Sequence, residues 1–141
     1  MNIERPYRIA VIDDDPVLLD IMERVLRKQP HVITRSFTSP KEALRAIRDE
    51  KIHIVFVDIN MPEMFGDDVL KECISMKQGI QVYIVTGSDS LLLADRCLNN
   101  GARGVLFKPF DHQELIAHVQ EATQFLDKWN RLVTNKQKKA G

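Results

Sequence analysis

The chain has 141 residues, comfortable for one domain and short for two, so a single core and a single principal site are expected. Apolar residues make up 44% and charged residues 28%, a balance that excludes an intrinsically disordered chain. Lysine plus arginine equals aspartate plus glutamate at 20 each, so no overall field draws the protein to nucleic acid or anionic lipid, and no direct nucleic-acid binding is expected.

Tyr7 to Ile12 is a short apolar run and predicts the first strand. Asp13-Asp14-Asp15 follows, and Asp15 before Pro16 suits an N-cap and first helical residue for a helix to Lys28. Val32 to Phe37 predicts the second strand, and Ser39-Pro40 opens a second helix, to Asp49. Ile52 to Val57 predicts the third strand, with Asp58 just past its end and helical spacing from Asp67 to Lys77. Ile80 to Val85 leads into Thr86, and a helix from Ser90 to Asn99 stops at Asn100-Gly101, where glycine takes the left-handed conformation without a side-chain clash. Arg103 to Phe107 predicts the fifth strand, closed by Lys108-Pro109, and a fifth helix begins at Asp111. Strict alternation of strands and helices predicts an α/β fold, a doubly wound five-stranded parallel sheet covered on both faces.

In the last helix Leu115, Val119, Ala122, Leu126, Trp129 and Val133 recur at spacings of four and three, as in a heptad seam. From Lys128 onward there are five basic residues and no acidic one. Cys73 and Cys97 have no metal-ligand spacing and read as reduced thiols. Nothing at the N-terminus resembles a signal peptide and no apolar run approaches the ~20 residues needed to span a bilayer, so the chain is read as cytoplasmic, with no membrane partner.

In an open parallel sheet, ligands collect outside the carboxyl ends of the strands. Asp13, Asp14 and Asp15 stand there after strand one, Asp58 after strand three, Thr86 after strand four and Lys108 after strand five. Singly each has an ordinary explanation: Asp15 as a cap, Thr86 as a turn residue, Lys108 as a solvated side chain. Jointly the carboxylates repel by roughly 1 kcal/mol per pair at about 4 Å in water, and by more in a less polar site, so the cluster calls for a cation. Oxygen ligands without His or Cys select a hard ion, and few carboxylates with room for water and phosphate suit Mg²⁺ better than Ca²⁺. A carboxylate can attack a phosphoryl donor to form an aspartyl phosphate once the charge on the equatorial oxygens is neutralised. The metal and Lys108 supply positive charge, and the Thr86 hydroxyl a hydrogen bond.

The segments Arg8-Ile-Ala-Val-Ile-Asp-Asp-Asp15, Val57-Asp-Ile-Asn-Met-Pro62, Val85-Thr86-Gly87, and Gly101-Ala102 followed by Phe107-Lys-Pro-Phe110 occur in this order. Over about residues 7 to 125 the chain resembles the receiver domain of two-component response regulators. The resemblance implies a flavodoxin-like (βα)5 fold with strand order 2-1-3-4-5 and Asp58 as the phosphoacceptor. It makes Asp14, Asp58 and the backbone carbonyl of Asn60 direct Mg²⁺ ligands, with Asp13 holding the ion through water. Lys108 and Thr86 would bind the phosphoryl oxygens, and Lys108-Pro109 would be a cis peptide. The donor it implies is a sensor histidine kinase or a phosphotransfer protein, and the domain would catalyse only its own phosphorylation and slow hydrolysis.

Two positions depart from the family pattern. Val105 stands three before the lysine, where Tyr or Phe is usual, which puts the aromatic switch in doubt; Phe107 shares its face by strand alternation and is either the replacement ring or a core residue. Phe65 stands before Gly66 where a polar residue is common, either as an exposed contact or as a lid.

Two other readings compete. Asp13-Asp14-Asp15-Pro16-Val17 also fits the Asp-x-Asp-x-[Thr or Val] pattern of haloacid-dehalogenase-type phosphatases, but Asp58 precedes Lys108 and the later acids fall on a helix. A receiver that only binds protein, without phosphorylation, would have no need of an uncancelled acidic cluster. The expected division is a receiver domain over 1–126 and a helical extension with a basic tail over 127–141, serving self-association or leading into an effector. No helix-turn-helix or catalytic domain fits in that tail, so the chain is either a standalone regulator or part of a longer protein.

Overall fold

Short runs of Ile and Val form five strands: β1 (Tyr7–Ile12), β2 (Val32–Phe37), β3 (Ile54–Asp58), β4 (Gln81–Thr86) and β5 (Gly104–Phe107). The computed structural model describes residues 3–87 and 91–140, so the expected helix start at Ser90 lies outside the described residues. All neighbouring strands pair in parallel, in the order β2-β1-β3-β4-β5. The order reverses between β1 and β3, which sets the ends of these two strands side by side at the switch point.

The helices between and after the strands are α1 (Pro16–Arg27), α2 (Pro40–Asp49), α3 (Gly66–Ser75), α4 (Leu91–Asn99) and α5 (His112–Ala140). Strand side chains alternate between two faces. Ile9, Val11, Ile54, Phe56, Tyr83, Val85 and Leu106 are buried with Leu19, Met22 and Leu26 of α1 and Leu115, Val119, Ala122 and Leu126 of α5. Ala10, Ile12, Val55, Val57, Val82 and Ile84 are buried with α2, α3 and Cys97 of α4. Both faces are therefore apolar, as a parallel sheet requires. Each large side chain so buried contributes about 1.5–3 kcal/mol.

The expected caps form: the Asp15 side chain accepts from the Val17 N–H at 3.0 Å and Ser39 Oγ from the Glu42 N–H at 3.3 Å. Several boundaries move. Asp58 belongs to β3, in register with Val85, and Thr86 belongs to β4, in register with Phe107, because the ladder runs one residue beyond the apolar run. Before β3, the Arg8 and His53 backbones and the His53 ring bond one another, so Ile52 is buried outside the ladder. Helix α3 begins at Gly66 and ends at Ser75, since Lys77 takes a positive φ of 53°.

Helix α5 is continuous over 29 residues. Its first half is fastened to the sheet by the Tyr83 hydroxyl donating to Glu121 (2.9 Å) and by Gln81 Nε2 donating to the Ala122 carbonyl (3.1 Å). Asp127 accepts from Arg5 and from the Tyr7 hydroxyl. Beyond that tie Trp129, Leu132 and Val133 are exposed. Among the described residues no helix is long and apolar enough to cross a membrane.

Candidate functional site

The carboxyl ends of β1 and β3 place three aspartates together. One oxygen each from Asp13, Asp14 and Asp58 lies within 4.8 Å of the others. Asp13 and Asp58 are buried while Asp14 is exposed, so the group opens to solvent on the Asp14 side. Lys108 reaches across from the end of β5: its Nζ donates to Asp13 Oδ2 at 2.9 Å and to Asp58 Oδ1 at 3.3 Å. The Lys108 backbone is set by its N–H donating to the Thr86 carbonyl at 2.8 Å, and the Lys108–Pro109 peptide is cis, as is Arg5–Pro6.

Asp13 has a second task that the sequence did not announce. Its Oδ1 accepts the Asp15 N–H at 2.9 Å, so one carboxylate both shapes the turn into α1 and anchors the lysine. Burial, then repulsion from Asp13, push the Asp58 carboxyl above its ordinary range; Lys108 and the Asn60 backbone N–H pull the other way without overcoming them. Burial pulls the Lys108 ammonium down, but its bond to Asp13 and the attraction of both carboxylates outweigh it, and its pKa is raised.

Thr86 is buried at the end of β4, one residue past the partner of Asp58, and Asn60 is exposed two residues beyond Asp58. Gly66 completes the loop after β3. A β-carbon there would stand 2.3 Å from the Asp58 carbonyl oxygen and 2.8 Å from Ile59 Cα, and the Gly66 N–H donates to the Ile59 carbonyl at 2.9 Å. Only glycine permits that approach. Phe65, just before it, is 60% exposed. Val105 packs on the α4 face, in the same group of partly buried residues as Leu93, and Phe107 is half-buried.

The donor set fits a small hard cation: three carboxylates, no nitrogen or sulfur ligand, and an open side for water or phosphate. With Lys108 beside the same carboxylates, the arrangement can neutralise an incoming anion at Asp58.

The model of the response regulator receiver domain matches residues 9–120. The transcriptional regulatory protein ZraR of Escherichia coli (strain K12) is 32% identical over 114 residues, 81% of this chain and 26% of that protein. The probable transcriptional regulatory protein TcrX of Mycobacterium tuberculosis is 28% identical over 116 residues, 82% of this chain and 49% of that protein. The chain thus spans about a quarter to a half of these relatives' length. Among solved structures, the CheY-like receiver domain protein of Methanospirillum hungatei JF-1 matches with a TM-score of 0.79 at 27% identity, covering 86% of this chain and 97% of that one. The receiver domain of a putative LuxO repressor protein from Vibrio parahaemolyticus shares the fold, with a TM-score of 0.83 at 24% identity, covering 90% and 96%. With the strand order, the acidic group at the switch point and the family match over most of its length, the chain belongs to the receiver domain family of two-component response regulators.

Proposed function

We propose that Asp58 accepts a phosphoryl group from a histidine kinase or phosphotransfer protein, and that its modification switches a partner or effector. The observation that carries this reading is Lys108 Nζ lying 3.3 Å from Asp58 Oδ1 beside the acidic group. Asp14, Asp58 and the Asn60 carbonyl would hold Mg²⁺ directly, with Asp13 holding it through water. When bound, the ion neutralises charge on the phosphoryl oxygens.

The residues then divide the work. An Asp58 carboxylate oxygen forms the bond to phosphorus as the bond from phosphorus to the donor's imidazole nitrogen breaks, and the electron pair leaves with that nitrogen. Lys108, already within reach of Asp58, moves part of its charge from the carboxylates to the new phosphoryl oxygens. The Thr86 hydroxyl donates to one of those oxygens, and its displacement carries the signal toward α4 and β5. The domain is not an enzyme acting on other substrates; it catalyses its own phosphorylation and slow hydrolysis, in the cytoplasm. The receiver unit covers 1–126, with 127–141 as a helical extension.

Incubation with acetyl phosphate and Mg²⁺, read by intact-mass spectrometry, tests the assignment. Wild type gains one phosphoryl group and Asp58→Asn none; equal labelling of both would refute it, and labelling that follows Asp13 instead would restore the phosphatase reading.

A further inference from the structure

His53 stands just before β3, at the opposite end of the strands from Asp58. It takes both backbone groups of Arg8 in β1: the His53 N–H donates to the Arg8 carbonyl at 2.9 Å, and the Arg8 N–H donates to Nδ1 of the His53 ring at 3.0 Å. The His53 carbonyl accepts the Gln81 N–H at 3.0 Å, so one residue joins β1 to β4 below the regular ladder. An accepting Nδ1 fixes where the ring holds its proton. In the neutral imidazole that proton is on Nε2, and a second can go only to Nδ1, where it would face the Arg8 N–H, donor against donor.

The surroundings give a charged ring little. Its edge meets the Tyr7 ring at 5.6 Å between centroids, and with Ile3, Phe125, Leu126 and Trp129 it lines a largely apolar groove of about 230 Å³ between α5 and the amino end of the sheet. Asp127 of α5 bonds the Tyr7 hydroxyl and Arg5. The N-terminal segment and β1 bring Glu4, Arg5 and Arg8 around His53. The end of α2 and the turn after it bring Arg48, Asp49, Glu50 and Lys51, and the turn after α3 brings Lys77. Arg5 is held by Asp127, Arg48 by Glu72 and Glu50 by Arg35. The other charges are Arg8, Lys51 and Lys77 against Glu4 and Asp49, a balance that offers an imidazolium no net attraction.

We propose that His53 is an acid-sensitive latch. Neutral, its ring completes the rung between β1 and β3 and floors the groove beside α5. Protonated, it loses the Arg8 N–H and turns away from the apolar side chains around it, since a charge against them is costly. The rung and the seat of Trp129 loosen together. Imidazole chemistry sets the range, below about pH 6.5. The Tyr83–Glu121 and Gln81–Ala122 bonds secure α5 before this point, so the change is local. The latch is remote from the aspartates and stands or falls independently of the phosphorylation chemistry.

Trp129 is the chain's one tryptophan and lines the same groove, so its emission reports on the latch. In His53→Asn the side-chain oxygen takes the place of Nδ1 and accepts the Arg8 N–H without titrating, while His31, His112 and His118 remain as a common background. The full chain is taken from about pH 7.5 to about pH 5.5, across the range of a free imidazole. Wild type should show a red shift of Trp129 emission and a fall of about threefold to tenfold in the hydrogen-exchange protection of the Arg8 amide, the loss of one hydrogen bond; His53→Asn should show neither. Long-range proton–nitrogen NMR of wild type needs no variant: His53 should carry its proton on Nε2 at the upper pH and gain the Nδ1 proton as Arg8 protection falls. A proton on Nδ1 at the upper pH, a ring that stays neutral throughout, an equal pH response in His53→Asn, or emission and protection that stay flat while the ring titrates would each overturn the proposal.

Discussion

Arg5 and Asp127, 122 positions apart in sequence, meet in a two-pronged ion pair, Nε to Oδ1 at 3.0 Å and Nη2 to Oδ2 at 2.7 Å. The Tyr7 hydroxyl donates to the same carboxylate at 2.5 Å. The hydrogen bond from Arg5 is the main reason that the Asp127 carboxyl lies below its ordinary range. Asp127→Ala leaves the hydroxyl of a wholly buried tyrosine without its acceptor, an expected loss of about 1–2 kcal/mol in urea unfolding. A depressed carboxyl contributes stability that is present above its unfolded pKa of about 3.9 and is lost as pH falls through the folded value. The gap between wild type and Asp127→Ala should therefore narrow as pH falls below about 4, since protonation removes the charge while the neutral carboxyl can still accept from Tyr7. A gap that persists unchanged in acid would show that the charge is irrelevant.

Both tyrosines of the chain are buried. Burial, then the bond to Asp127, push Tyr7 up to about 12, and burial with the bond to Glu121 pushes Tyr83 higher still. A raised pKa gives stability that is complete below the unfolded value of about 10 and is lost as pH climbs through the folded one. Tyrosinate absorbance should stay low near pH 10 to 11 and then rise in one step with the loss of helical circular dichroism. Ordinary titration near pH 10, with the fold intact, would contradict the described burial.

Removing Lys108 leaves Asp13 and Asp58 buried without their shared cation, a cost on the order of 3 kcal/mol in metal-free buffer. Under the proposed chemistry Mg²⁺ replaces that charge, so Lys108→Ala should gain more in thermal midpoint from added Mg²⁺ than wild type does. It should also lose the coupling between phosphorylation and conformation. An equal Mg²⁺ response in the two proteins would argue against a metal beside Asp58.

Val105 sits against the α4 side of the sheet and is too short to follow Thr86 as a ring would. Beryllofluoride should still perturb NMR shifts across α4 in wild type, by contacts of Thr86 with the mimic. Phe107→Leu and Val105→Tyr distinguish the routes. If Phe107→Leu responds like wild type, Phe107 is not the switch; if wild type changes only beside Asp58, no relay exists.

The order of elements was legible because each strand is a short apolar run and each helix an amphipathic one, with Asp15 and Ser39 marking starts by chemistry that works locally. Every residue singled out at the strand ends falls on the same rim, for topology alone delivers it there. What the sequence hid depends on distance along the chain. Nothing near Asp127 announces Arg5 or Tyr7, and nothing near Asp13 announces that its two oxygens serve Asp15 and Lys108 separately. The apolar pattern also stopped one residue early on β3 and β4, because Asp58 and Thr86 are polar residues held in a ladder by their neighbours.

The approach of Gly66 to the Asp58 carbonyl divides the loop between them into fixed and free parts. Its ends are pinned, by the glycine's contact and its N–H bond to Ile59, and Met61 is anchored in the core. Pro62, Glu63 and Phe65 are exposed between those anchors. In a randomised library, these three positions should accept many side chains with phosphorylation intact, whereas position 66 should return glycine alone. The loop can then acquire new partner preferences by mutation while its chemistry is inherited unchanged.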